Sequence, residues 1–204
     1  MCLRLHVVRA LLALSGSSAL AQTPFYSDTT PFRPDEWATQ FGVSSGYASL
    51  GVLRFTAPRR AWVLDLRVSG GHTDIESSRT SPDTTVKGFH SNAGVTLRLG
   101  RRFYSALRDR VLALYGLGLS GGFVHSASGQ DGGTSGETNG WTAGMVFELG
   151  GTYFVTRRLS LGAIASASVT YSRSKSRASD GFRSESSTYG GSLGGVSLVA
   201  TLYF

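Results

Sequence analysis

His90, Ser91 and Asn92 are consecutive, and His125 is followed by Ser126 and Ser128. A histidine within reach of a serine is the raw material of nucleophilic acyl transfer, with the imidazole as base. His72, His90 and His125 together offer a second chemistry, imidazole ligation of a metal. A third group mixes charges of both signs: Arg54, Asp65, Arg67, Arg98 and Glu148. Which of these side chains can cooperate depends on the elements that carry them.

Those elements alternate. Near the end of the chain, Val196, Leu198, Ala200, Leu202 and Phe204 share one parity, with Ser197, Thr201 and Tyr203 on the other. Period two marks a β-strand with one apolar face. The series opens at Trp37, Phe41 and Val43, and the chain can turn tightly at Ser44-Ser45-Gly46. Tyr47, Leu53 and Phe55 lead to a proline-containing turn over 56–60. Trp62, Leu64, Leu66 and Val68 face one way on a strand from about Ala61 to Glu76. A polar loop is expected over 77–85. Phe89, Ala93, Val95, Leu97 and Leu99 follow, ending at Gly100-Arg101-Arg102, and 103–110 reads as a turn with room for a short helical turn. Further faces run from Val111 to Leu119, from Trp141 to Tyr153, and from Leu159 to Tyr171. Loops over 126–136 and 172–183 and a turn at Thr156-Arg157-Arg158 separate them. With Trp37 to Phe55 taken as two strands, the count is about eight, an even number as single-chain barrels require.

Strand geometry removes most of the chemistry. Neighbours on a strand point to opposite faces, so His90 and Ser91 diverge, and His125 lies at a strand–loop junction without a placed acid. By parity His90 points inward while His72 and His125 point outward, so the three imidazoles do not converge. The sequence has no phosphate-binding glycine loop, zinc spacing or nucleophile elbow. We therefore assign no catalytic, cofactor-binding or metal-binding residues from sequence.

Composition points to a membrane. Of 204 residues only 16% are charged, below the roughly 25% usual in soluble domains, and 27 are glycine. Residues 1–21 read as a cleaved signal peptide: Arg4 and Arg9 are basic, 10–14 are apolar, and Ala19-Leu20-Ala21 is a small-x-small cleavage site. Losing Arg4 and Arg9 lowers the formal charge from +7 to +5. The only cysteine, Cys2, lies in this leader, so no disulfide is expected in the mature chain. Pro24, Pro31 and Pro34 make 22–36 an extended N-terminal segment on the periplasmic side. No other apolar run approaches the ~20 residues of a membrane helix. A secreted, glycine-rich chain with its arginines in turns also argues against nucleic acid as the partner.

A secreted β-sandwich would alternate too, and the polar parity separates the cases. Between Arg54, Asp65, Arg67, Arg98 and Glu148, the polar-parity positions are mostly small: Gly94, Thr96, Thr142, Gly144, Ser160, Gly162, Ser166 and Ser168. Small residues with a few mid-strand charges suit the narrow lumen of an eight-stranded barrel, which side chains fill. Charges held there must pair, so these five residues are expected to form an internal network. Trp37, Phe55, Trp62, Phe103, Tyr104, Tyr153, Phe154, Tyr203 and Phe204 would mark a periplasmic aromatic belt. Phe89, Trp141, Tyr171 and Tyr189 would mark an outer one.

On these residues the chain resembles the small eight-stranded outer-membrane barrels of the OmpA-domain and OmpX type. The resemblance covers Trp37 to Phe204, with the leader and the terminal Phe as its most specific parts. It implies an all-β, closed antiparallel up-and-down transmembrane β-barrel over 37–204, located in the bacterial outer membrane. It also implies recognition of the last strand, ending in Phe204, by the barrel-assembly machinery. The segment Phe89-His90-Ser91-Asn92-Ala93-Gly94 is similar to the His-x-Ser-Asn segment of outer-membrane lipid A deacylases. It departs from that pattern in the adjacency of His90 and Ser91. The expected role is structural, in envelope integrity or surface interaction, by a monomer with a side-chain-filled lumen and no cofactor. Arg173, Lys175, Arg177 and Arg183 would meet lipopolysaccharide phosphates, and polar loops would meet an extracellular partner. A narrow channel for small solutes and a lipid A-modifying enzyme are the alternatives.

Overall fold

The computed structural model describes residues 32–80, 83–130, 133 and 135–204, and side chains outside 77–86. The expected leader and most of the N-terminal segment lie outside these residues. Eight strands form one closed ring, each paired antiparallel with its neighbour in sequence and the first with the last. They are β1 (Trp37–Val43), β2 (Ala48–Ala57), β3 (Arg60–Thr80), β4 (Asp83–Arg108), β5 (Val111–Gln130), β6 (Gly136–Thr156), β7 (Leu159–Ala178) and β8 (Arg183–Tyr203). Trp37 to Phe55 is indeed two strands, joined across Ser44–Tyr47 by a backbone bond from Ser44 N to Tyr47 O of 3.0 Å. Closure runs from Ala38 opposite Tyr203 to Val43 opposite Leu198.

Four of the expected loops are shorter than the sequence suggested. Residues 103–108 continue β4, pairing Phe103 with Tyr115 and Tyr104 with Leu114, so the turn predicted at 103–110 shrinks to Asp109-Arg110. Polar stretches expected as loops at 77–85, 126–136 and 172–183 largely extend the flanking strands. Serine, threonine and glycine satisfy a β-ladder as well as a loop when both faces see water.

The cylinder is turned inside out relative to a soluble core. Leu64, Leu66, Leu97, Leu99, Leu117, Phe147, Leu161 and Leu198 are exposed on its outer surface, while Asp65, Arg98, Arg102 and Glu148 are buried. An apolar exterior over polar buried groups is stable only where hydrocarbon surrounds the wall. Rings border this band. Phe103 stacks on Tyr115 at 5.1 Å near the mouth where β1 begins and β8 ends, here the inner mouth. Trp141, Tyr171 and Tyr189 contact one another in sequence toward the outer mouth.

Glycine at position 150 is dictated by backbone contact. A Cβ on Gly150 would lie 2.3 Å from the Ala163 carbonyl oxygen and 3.0 Å from Ile164 Cα, whereas one on Gly190 would meet nothing within 4 Å. Gly150→Ala must push two strands apart and is expected to cost about 1–3 kcal/mol, in the range of overpacking. Gly190→Ala should be silent. Urea unfolding in detergent micelles checks this, and equal midpoints for the two variants would contradict the close β6–β7 approach.

Candidate functional site

The inner third of the lumen is aromatic. β2, β4, β6 and β8 each send one ring inward near the inner mouth: Phe55, Tyr104, Phe154 and Tyr203. The residues directly opposite them across the ladder are smaller or aliphatic, namely Ala61, Leu114, Ser160 and Ala38. The rings therefore interdigitate instead of colliding. Phe32, from the segment before β1, enters between them and is only 2% exposed. Its centroid lies 4.0 Å from Phe55, 4.9 Å from Tyr104, 5.4 Å from Tyr203 and 5.8 Å from Phe154. Tyr203 and Ser160 hydroxyls are 2.9 Å apart, so this phenol has a partner inside the cluster. The sequence pattern puts Phe55, Tyr104, Phe154 and Tyr203 in the lipid-facing belt. Their buried positions correct it, and of the expected inner belt Trp37, Trp62, Phe103, Tyr153 and Phe204 face outward.

Above the rings lies a charged layer. Arg102 donates from Nε to Glu148 Oε2 at 2.7 Å, from Nη2 to Oε1 at 3.2 Å, and from Nη1 to Gln40 Oε1 at 2.6 Å. Arg98 Nη1 sits 2.9 Å from Glu148 Oε1 as an ion pair without hydrogen-bond alignment. The same nitrogen is 3.7 Å from Asp65 Oδ2, to which Arg67 Nε donates at 2.8 Å. Three guanidiniums thus share two carboxylates. Gly116 makes the room, since a Cβ there would come within 3.0 Å of Glu148 Oε2 and 3.2 Å of Arg102 Cγ. Arg67 also lies over the Tyr47 ring, 4.6 Å from its centroid.

Four of the five charges named from sequence, Asp65, Arg67, Arg98 and Glu148, meet in this layer. Arg54 does not. It is opposite the outward-facing Trp62, with a side chain 54% exposed that binds Asp35 at 2.9 Å. The parity of β2 is the reverse of the one expected: Leu53 and Phe55 point in, while Leu50, Val52 and Arg54 point out. Arg102, absent from the expected network, is its most buried arginine. Arg101-Arg102 looks like a turn pair in sequence; instead Arg101 lies outside between Trp62 and Phe103.

The chemistry considered for histidine has no geometric support. His72 contacts Asp74 at 3.2 Å and His125 contacts Asn139 at 2.8 Å, both exposed. Ser91 donates to the Ala127 carbonyl. Among the described residues no group of three His, Cys, Asp or Glu side chains could hold a metal.

Charges reappear at the outer mouth, on the ends of β7 and β8 and not in a loop. Arg177 is directly opposite Arg183, and Lys175 opposite Glu185. Arg173 donates to Glu185. That hydrogen bond, with some coulombic help, holds the Glu185 carboxyl below its usual range, so it stays ionised. Glu137 is in register with Arg177 from β6. All lie beyond the Tyr171 and Tyr189 rings.

No family model matches this sequence, and no curated protein matches it. Solved structures do. A major outer membrane protein from Thermus thermophilus superposes with a TM-score of 0.56 at 15% identity, covering 83% of this chain and 98% of that one. The fold is that of a small outer-membrane β-barrel. CarO of Acinetobacter baumannii is also similar, with 11% identity, a TM-score of 0.38, and 84% and 97% of the two chains covered. Ail of Yersinia pestis, in complex with the heparin analogue sucrose octasulfate, gives 13% identity, a TM-score of 0.36, and 83% and 94% covered.

Breaking the buried layer of this barrel should be costly. Glu148→Ala strands Arg98 and Arg102 and is expected to lose about 3–5 kcal/mol. Arg54→Ala removes an exposed ion pair and should lose at most about 1 kcal/mol. Comparable urea midpoints for the two variants would contradict the division between buried and rim charges.

Proposed function

We propose that the protein is a monomeric outer-membrane barrel with a sealed lumen, serving envelope structure and surface contact and not transport or catalysis. The observation that carries this reading is the stack of two unlike layers inside one cylinder. In this reading, five packed rings at the inner mouth and a cross-linked Arg/Asp/Glu layer above them close the polar path. Phe204, beside β1 at closure, is the feature the barrel-assembly machinery would read.

Arg173, Lys175, Arg177 and Arg183 stand just beyond the outer aromatic belt, at the level of lipid headgroups. Arg177 and Arg183 face each other across the ladder, a like-charge pair that an intervening phosphate would relieve. In this reading the rim binds the phosphates of lipopolysaccharide, and the polar strand extensions above it meet an external partner.

Planar bilayers test the sealed lumen: the protein should insert without stepwise currents, and sustained unitary conductance would overturn the reading. Lipopolysaccharide recovered with Arg177→Ser/Arg183→Ser should fall about five-fold per charge removed, as expected for about 1 kcal/mol each. Unchanged recovery would remove the rim from the account. Incubated lipid A should keep its mass.

A further inference from the structure

Six strands reach the outer mouth and two do not. β1 has 7 residues, which at 45° tilt and about 3.3 Å per residue rises roughly 16 Å. The apolar band of such barrels is about 25 Å tall. The β1–β2 hairpin therefore ends inside the band, at the Ser44–Tyr47 turn. There Ser44 Oγ donates to the Val196 carbonyl and the Tyr47 hydroxyl meets Ser197 Oγ. β1 pairs with β8 only as far as Leu198, and β2 pairs with β3 only as far as Val68. Above this turn the facing edges of β8 and β3 have no ladder partner among the described residues on the side of the missing strands. Three inter-strand spacings of about 4.8 Å separate them, so the opening is about two strands wide.

The opening coincides with the band. Leu193 and Tyr189, on the β8 edge, are 92% and 83% exposed, the highest values among the exposed large apolar side chains. Tyr189 packs against Tyr171 of the outer belt, so β8 from Tyr189 to Gly195 borders the gap at hydrocarbon depth. A bulge places Gly194 and Gly195 opposite Ser166 where β8 parts from β1, and bulges bend and twist the strand that carries them. An unpaired edge facing lipid is not tolerated unless polar groups reach it. Behind the gap the inward positions are hydroxylated. Ser168 and Ser192 hydroxyls are 2.8 Å apart, Ser174 and Ser186 3.0 Å, and Thr138 and Ser176 2.8 Å. The inward-facing Ser69 and Ser120 donate to backbone carbonyls.

We propose that this gap is a lateral slot through which an outer-leaflet glycolipid enters the upper lumen. Its acyl chain lies between β8 and β3 above the Ser44–Tyr47 turn. Its neutral saccharide hydroxyls meet the Ser/Thr face and the free backbone groups of β8. Its phosphate meets Arg177 and Arg183, which lie on or next to the slot-bordering strand. The charged layer forms the floor, so the lipid is held and not passed through. The inference rests on the lipopolysaccharide-facing reading of the rim and adds a seat for the chains.

The test is photolabelling of the full barrel, in vesicles of lipopolysaccharide and phospholipid, with a lipid A analogue carrying a diazirine on an acyl chain. Labelled residues are then mapped by mass spectrometry. Label on the inward positions Ser192, Thr188, Ser69 and Asn92, at least five-fold above the inward Ser120 on the far wall, is the expected result. Label confined to outward residues such as Phe147 and Leu198 overturns the slot while leaving the embedded barrel intact. Absence of label at Phe147 and Leu198 as well overturns the embedding on which both readings rest. Leu193→Cys supplies a second measurement. Membrane-embedded protein should stay monomeric on oxidation, whereas efficient disulfide dimers would show that a second copy fills the gap and overturn the proposal. A diazirine phospholipid run in parallel should label the inward set at least three-fold less, and equal labelling overturns the saccharide preference.

Discussion

In hydrocarbon, each backbone N–H and C=O must find its partner within the protein, and everything else in this molecule follows from that constraint. A sheet meets it only by closing. Closure is completed at the inner mouth, where Trp37 N bonds Phe204 O at 3.2 Å and Phe204 N bonds Trp37 O at 3.0 Å. Once the sheet is closed, alternate side chains face opposite solvents, lipid outside and a narrow enclosed volume within. The rows of leucine, valine and phenylalanine outside and the buried carboxylates and guanidiniums inside are two consequences of the same period.

The interior then has to be filled without leaving a charge alone. Aromatic rings fill the inner mouth because alternate strands carry them and the intervening strands step back to alanine or serine. Above them arginine is the suitable cation. Its planar fork lets Arg102 engage both oxygens of Glu148 and still reach Gln40, which a lysine ammonium could not do with the same geometry. A buried network of this kind need not add net stability over an apolar filling. It fixes which strands lie across the lumen from one another, since Glu148 on β6, Arg98 and Arg102 on β4 and Asp65 on β3 meet only in this register.

The strand count, the hairpin at Ser44–Tyr47 and the lipid-facing rows of β3 to β8 are legible in the sequence, because the period-two signal there is long. β2 is misread because both parities are apolar: Leu50 and Val52 outside, Leu53 and Phe55 inside. Hydrophobicity alone cannot orient such a strand, and Arg54 is carried to the wrong face with it. The aromatic cluster does leave a trace. Phe103-Tyr104, Tyr153-Phe154 and Tyr203-Phe204 are consecutive pairs at the same end of even-numbered strands, and on a strand two adjacent rings cannot share a belt. Phe32 leaves no such trace, because a residue outside the periodic segments reveals its burial only through tertiary contact. Arg102 is hidden by Arg101, since two adjacent arginines look like a turn until the ladder separates them to opposite faces.

The difference in strand length divides the molecule mechanically. Every buried ion pair, the five-ring cluster and the closing ladder lie in the lower section, where eight strands restrain one another. The upper section is an open six-stranded sheet whose inward-facing links are hydroxyl pairs such as Ser168–Ser192 and Ser174–Ser186. Few buried apolar contacts and solvent-facing backbone bonds mark a region of low local stability. A barrel closed by eight strands at one mouth and by six at the other fits the proposed role, in which the work lies on the outer side.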